Sequence, residues 1–171
     1  MKIKTIETPR LNLRSFEKED ARFAISIWND PEMGEYLPDE AMDEIDEEYL
    51  TVIESLPDDE ECCYLISEIK GEKRRIGTCS FMIEDEGKTY DIAYCVHRNF
   101  RRQGYATEMA QGMISYATSN GATKITVRVN KENSASNRVV EKLGFKIIGE
   151  TKYKKRGTEL EFTDYLYELR L

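Results

Sequence analysis

The stretch Val96-His97-Arg98-Asn99-Phe100-Arg101-Arg102-Gln103-Gly104-Tyr105-Ala106-Thr107-Glu108 joins two different periodicities. Before it, Thr89 to Val96 reads as a strand. After it, Ala106, Met109, Ala110, Met113, Ile114 and Ala117 recur at helical spacing, so Tyr105 to Ser119 reads as an amphipathic helix. The first N–H groups of a helix lack internal partners and carry the positive end of its dipole. Gly104 permits a positive φ and the close approach of an anion. His97, Arg98, Arg101 and Arg102 add positive charge in a chain that is acidic overall. A cationic loop that turns through a glycine into a helix start suits a phosphate. A solvated basic turn has the same composition, so the loop by itself is a weak signal.

Outward from this loop the elements alternate, with no repeat, linker or low-complexity segment. Leu11 to Phe16 alternates as a strand, and Glu17 to Asn29 reads as a helix with Phe23, Ile27 and Trp28 on its apolar stripe. Pro31 and Pro38 interrupt the next segment, and Met42 to Leu56 reads as a second, acidic helix. Tyr64 to Ile69 and Ile76 to Glu84 are strands, with Gly71 and the turn Asp85-Glu86-Gly87-Lys88 as hairpin connections. Lys124 to Val129 is a strand and Ser134 to Leu143 a helix stopped by Gly144. Two strands complete the C-terminal end. The expectation is an α/β chain whose mixed central sheet switches from antiparallel to parallel around the ligand loop.

Composition narrows the function. At 171 residues the chain suits one domain, 1–171, with an apolar core. No run of about 18 apolar residues is present to span a membrane. The start, Met1 to Glu7, lacks the apolar core of a secretory signal, so a cytoplasmic protein is expected. Cys62, Cys63, Cys79 and Cys95 lack metal-ligand spacing and fall in strand-like runs, which reads as buried thiols rather than a disulfide or zinc site. One histidine leaves no material for a His-rich metal site. The net charge of −8 argues against general nucleic-acid binding. From Asn29 through Glu61 there are 15 acidic residues and no Lys or Arg. That run is either a solvated surface or a rim that draws in a cation.

Three segments in order then carry a family resemblance. Arg101-x-x-Gly104-x-Ala106 resembles the pyrophosphate loop of the GNAT N-acetyltransferases. Asn133-Ser134-Ala135-Ser136 through Glu141-Lys142-Leu143-Gly144-Phe145 is similar to a segment of their RimJ/RimL-like branch. Thr8-Pro9-Arg10-Leu11-Asn12-Leu13-Arg14 is similar to that branch's first strand. The resemblance implies the GNAT fold, a central mixed sheet of about seven strands flanked by about four helices. It also implies acetyl-CoA as co-substrate, with no metal.

The same resemblance assigns site residues. The fourth and fifth strands would splay, so that pantetheine pairs with backbone groups of Tyr94, Cys95 and Val96, where an N–H would also stabilise the oxyanion. Amides of Arg101, Arg102, Gln103, Gly104, Tyr105, Ala106 and Thr107 would take the pyrophosphate, with Thr107 Oγ as an added donor. Asn133 would contact the pantetheine arm; alternatively it is a plain helix cap. Many GNAT enzymes carry a tyrosine at the position of Val140, which protonates the departing thiolate; valine has no proton to give. Ser136, one turn earlier on the same face, takes that role or is a helix-start hydroxyl. Asp91 is the candidate base through a water, or else a structural acid. His97 suits cofactor contact or solvent. Glu35 and Tyr36 are placed at the acceptor mouth by fold-level analogy.

An α-amine with a pKa near 8 is about one-tenth neutral at pH 7, whereas a lysine-type amine is below about one-thousandth. The reaction expected is direct attack of a primary amine on the thioester. The acceptor is a protein N-terminus or a small cationic amine such as a polyamine or aminoglycoside. The alternative is a GNAT-fold acyl-CoA binding or regulatory protein without transferase activity. A homodimer would pair exposed C-terminal strands, Phe162 to Leu169.

Overall fold

The computed structural model describes residues 3–60 and 62–171. Met1 and Lys2, part of the leader-segment reading, and Glu61, the end of the acidic run, lie outside the described residues. The chain runs β1 (Ile6–Glu7), β2 (Leu11–Ser15), α1 (Ala21–Trp28), α2 (Glu47–Ser55), β3 (Tyr64–Ile69), β4 (Arg74–Glu84) and β5 (Thr89–Val96). It continues with α3 (Tyr105–Ser119), β6 (Lys124–Asn130), α4 (Ser134–Lys142), β7 (Lys146–Lys154) and β8 (Glu161–Arg170). One 8-stranded sheet has the order β1-β2-β3-β4-β5-β6-β8-β7. β5 and β6 are parallel, whereas the other neighbours are antiparallel. The mixed α/β fold expected from the pattern is observed, with one strand more than expected because β1 has only two residues.

Alternation along the strands assigns the two faces. Leu65 packs in the cluster containing Met109, Met113 and Val140 of α3 and α4. Its neighbour Ile66 packs in the cluster containing Ala24, Ile25 and Ile53 of α1 and α2. Fully burying one such aliphatic or Met side chain stabilises by about 2 kcal/mol, so a register slip that turned either face outward would be very costly. α3 lies tight against the first strands: a β-carbon on Gly112 would meet Thr8 Cγ2 at 2.8 Å.

Two helix boundaries differ from the expectation, each for a polar reason. The first helix opens with a short 3-10 turn, Lys18–Asp20, before α1. Asp20 points inward, where it receives the Glu17 N–H at 2.8 Å and the guanidiniums of Arg14 and Arg75 at 2.6 Å each. α2 begins at Glu47 rather than Met42. The Asn29 amide takes both the N–H (2.8 Å) and the C=O (2.9 Å) of Met42, and Asp46 caps the helix by accepting the Tyr49 N–H at 2.7 Å. β8, expected to be exposed and available for pairing between subunits, is flanked by β6 and β7. β7 is the edge strand instead. Cys62 and Cys63 precede β3 rather than lie in a strand, and only Cys79 is fully buried; no disulfide forms among the described residues.

Candidate active site

The ligand loop has the backbone its sequence demands. Arg102 (φ 62°) and Gly104 (φ 82°) are both left-handed. Gly104 is the residue before α3, and the first helical bond runs from the Glu108 N–H to the Gly104 carbonyl at 3.1 Å. The amides of Tyr105, Ala106 and Thr107 therefore lack helical acceptors and stand at the positive end of α3. Arg101 to Gly104 are exposed, Ala106 and Thr107 half-buried, and Tyr105 is buried.

The side-chain charges behave differently from the expectation. Arg98 is engaged by Asp30, and Arg101 Nη1 meets Glu32 at 2.7 Å. His97 lies between Phe23 and Phe100, with ring centroids at 6.0 and 6.2 Å, and accepts the Asn99 N–H. Arg102 forms no ion pair among the described residues. The loop's capacity for an anion thus rests chiefly on oriented backbone N–H groups, the nest arrangement of successive left-handed and right-handed residues.

A tie that sequence reasoning missed holds this turn. Glu108, in the first turn of α3, accepts from Thr8 Oγ1 (2.7 Å), Arg10 N (2.7 Å) and Arg10 Nε (2.6 Å). Arg10 also donates to the Gln103 carbonyl at 3.0 Å and stacks 4.4 Å from the Tyr105 ring. Burial alone would raise the Glu108 pKa, but the hydrogen bonds from Thr8 and Arg10 and the Arg10 charge bring it below the ordinary carboxylate value. Thr8 and Arg10 belong to the first-strand motif, which in the sequence carries no role of its own; an acid in the first turn of α3 is the signal that points to a partner.

β5 and β6 pair only from Thr89 opposite Lys124 to Asp91 opposite Thr126. Beyond that point they part, and Ile92 to Val96 have no strand neighbour on that side among the described residues. The tip of the gap is spanned by one hydrogen bond, 3.0 Å between Tyr94 Oη and Ser136 Oγ. Burial raises the Tyr94 hydroxyl to about 12, against a lowering by Ser136. Asn133 caps α4, accepting the Ser136 N–H at 3.1 Å. Val140 is fully buried in the core. On the other side of β5, Gly77 of β4 backs directly onto the Cys95 carbonyl, leaving no room for a β-carbon.

The faces of β5, unresolved from sequence, are now distinct. Ile92, Tyr94 and Val96 pack toward α3 and α4. Asp91, Ala93 and Cys95, together with part of Tyr94, line a cleft of about 1090 Å³ on the α1 and α2 side. Its other walls include Trp28, Tyr49 and Tyr64, with Asp39, Glu40 and Asp43 on the rim. Trp28 is fixed by its indole N–H to Thr78 Oγ1 at 3.1 Å and by the tilted Tyr64 ring at 5.0 Å. Asp91 accepts from Thr126 Oγ1 at 2.8 Å and faces Arg128 at 3.6 Å. Arg128 also lowers the pKa of Asp164 on β8, which burial pushes up overall. Glu35 and Tyr36 fall outside the lining. Lys155 Nζ holds the Glu35 carbonyl at 2.7 Å and Tyr153 Oη the Tyr36 carbonyl at 2.9 Å, while the Tyr36 ring meets Phe162 edge-on. Their neighbours from Leu37 to Asp43 supply the rim instead.

The gap between parallel strands leaves backbone groups for an extended ligand arm, and the nest that opens α3 suits the phosphates of such a ligand. The family model described as an acetyltransferase (GNAT) domain matches residues 10–146. The chain belongs to the GNAT acetyltransferases. It is 30% identical over 151 residues to a Bacillus licheniformis protein named uncharacterized N-acetyltransferase p20, covering 86% of this chain and 85% of that one. Two solved structures share its fold. RimL, a ribosomal L7/L12 alpha-N-protein acetyltransferase, superposes with a TM-score of 0.78 at 19% identity, covering 98% of this chain and 94% of that one. The spermidine N-acetyltransferase of Vibrio cholerae, in complex with CoA and spermine, has a TM-score of 0.77 at 20% identity, covering 94% and 95%. The chain is therefore a GNAT-family N-acetyltransferase with acetyl-CoA as co-substrate. No group of residues able to hold a metal occurs among the described residues, and no helix there is long and apolar enough to cross a membrane.

Proposed function

We propose that the protein, working in the cytoplasm, acetylates a small cationic amine of the polyamine or aminoglycoside class by direct attack on acetyl-CoA. The observation that carries this reading is the cleft behind β5, with aromatic walls at Trp28, Tyr49 and Tyr64 and four acids, Asp39, Glu40, Asp43 and Asp91, which outnumber its two arginines, Arg128 paired with Asp91 and Arg156 paired with Asp39. Carboxylates raise the local concentration of a cation, and aromatic faces favour it further. A protein N-terminal α-amine is the second reading. The openness of the fold to both is supported by the near-equal likeness to RimL and to the spermidine enzyme.

Each residue then has a task. The amides from Arg101 to Thr107, with Thr107 Oγ, hold the diphosphate, and the free edge of Tyr94 to Val96 pairs with pantetheine. Acetyl-CoA supplies the activated acyl group. A backbone N–H at the open edge of β5 stabilises the oxyanion. Ser136 meets the departing sulfur, and Asp91 takes the amine's proton through a water. Asn133 serves α4 as its cap and borders the pantetheine arm. A covalent route through the cleft thiols Cys63, Cys79 and Cys95 is disfavoured, because burial raises all three, Cys95 to about 11 against a lowering by Arg101. The test is thiol release from acetyl-CoA with a panel of polyamines, aminoglycosides and N-terminal peptides. Turnover is expected with the cationic amines. Turnover confined to peptides selects the second reading, and CoA binding with no turnover selects a non-catalytic acyl-CoA binding protein.

A further inference from the structure

We infer that Tyr94, through its side-chain hydroxyl, is a positioning residue that aims Ser136 at the leaving sulfur. This rests on the acyl-transfer reading and adds to it a group that the loop and helix motifs do not contain. Val140 is sealed in the core, so α4 delivers no phenol to the strand gap. A phenol arrives from the opposite side. Tyr94 sits on β5 and Ser136 on α4, which comes after β6, so their 3.0 Å contact bridges the two halves of the opening.

The direction of that hydrogen bond decides what Ser136 can do. A serine has one hydroxyl proton, and in the first turn of a helix it is readily spent on a backbone carbonyl one turn back. Ser136 is the third residue of α4, where that diversion is available. If Tyr94 donates to Ser136 Oγ, the serine's lone pair is satisfied and its proton stays free for the sulfur. Two hydroxyls in series also polarise each other in a partly buried setting.

The chemistry balances without ionising the phenol. The amine nitrogen bonds to the carbonyl carbon, the C–S bond breaks, and its electron pair goes to sulfur. The nitrogen gives up its proton to a water. A thiolate whose conjugate acid has a pKa near 8.5 cannot strip a phenol held near 12. Tyr94 and Ser136 therefore both keep their protons on completion and act as a hydrogen-bond chain to the developing thiolate, which solvent then protonates.

The test is a double-mutant cycle in the full chain, with Tyr94→Phe, Ser136→Ala and the pair, using acetyl-CoA and the best amine from the panel. Tyr94→Phe keeps the ring and its packing. It is expected to lower kcat about tenfold while the KM for acetyl-CoA stays within about twofold, the signature of a contact made in the transition state. The double variant should be no slower than Ser136→Ala alone, because the tyrosine acts only through the serine. An unchanged kcat in Tyr94→Phe overturns the inference, and so do fully multiplicative losses in the double variant. A raised KM with unchanged kcat assigns Tyr94 to pantetheine binding and overturns it as well. Thermal melts with and without CoA identify a variant lost to misfolding, and Tyr94→Met, an apolar side chain with no hydrogen-bond donor that adapts to the available space, then decides in its place. Failure of the wild-type protein to turn over any amine would instead remove the acyl-transfer reading beneath it.

Discussion

The loop from Arg98 to Thr107 and the acidic segment from Asn29 to Asp46, which carries the cleft's rim, meet at the Arg98–Asp30 and Arg101–Glu32 ion pairs, yet they are built from different materials. The loop is a backbone device, made of left-handed residues at 102 and 104, a helix start and a strand with a free edge. The rim is a side-chain device. Its acids stand on irregular chain held by Asn29 to Met42, by Arg156 N–H to the Pro38 carbonyl at 2.7 Å, and by Arg156 to Asp39 at 2.5 Å. Backbone geometry specifies a ligand common to many chains, whereas side chains brought from several elements specify the partner of this one.

The strongest way to break the contrast is at Gly104. Gly104→Asp places a β-carbon at φ 82° and a carboxylate at the proposed diphosphate site. Left-handed strain and charge repulsion together should weaken CoA binding by at least about 100-fold in a calorimetric titration. An unchanged affinity would show that the turn does not hold the ligand.

A sharper division comes from Glu108, which belongs to the loop's support and to no part of the rim. Glu108→Gln should weaken CoA by about tenfold, the scale of a lost charge-assisted network, with the acceptor KM unmoved. Its pH dependence has a definite sign. The folded pKa is depressed, so the tie to Arg10 and Thr8 is in force above the ordinary glutamate value and fades as pH falls through the lowered one. CoA affinity in the wild type should therefore decline in acid, and Glu108→Gln should flatten that decline. A parallel decline in both proteins would assign it to other carboxylates.

The smallest effect is expected at the rim. Asp39→Asn, Glu40→Gln and Asp43→Asn combined should raise the KM of a cationic amine about fivefold at low salt and less at high salt, with CoA affinity intact. Salt-independent loss, or loss of CoA binding, would show that these acids support the fold rather than attract the acceptor.

The same contrast explains what the sequence made readable. β3, β5 and α3 have the bounds their periodicity dictates, because apolar spacing and one glycine encode them locally. The splay of β5 from β6 came from family likeness, and the register now displays it. The rest depended on pairs far apart in the chain. Nothing near Met42 says that Asn29 will hold its backbone and delay α2 to Glu47. Nothing near Glu108 names Arg10, and nothing near Tyr94 names Ser136. Glu35 and Tyr36 lay close to the rim by analogy, but Lys155 and Tyr153 draw their carbonyls toward β7. Two loop arginines read as ligand cations because the acids that pair with them lie far back in the chain, at separations of 68 and 69 residues.

The most direct trial of the account is a crystal structure of the protein with CoA. It should place the diphosphate within hydrogen-bond distance of the amides from Arg101 to Thr107, the pantetheine between β5 and β6, and the sulfur beside Ser136 Oγ. Diphosphate bound elsewhere, with the gap beyond Asp91 and Thr126 left empty, would contradict it.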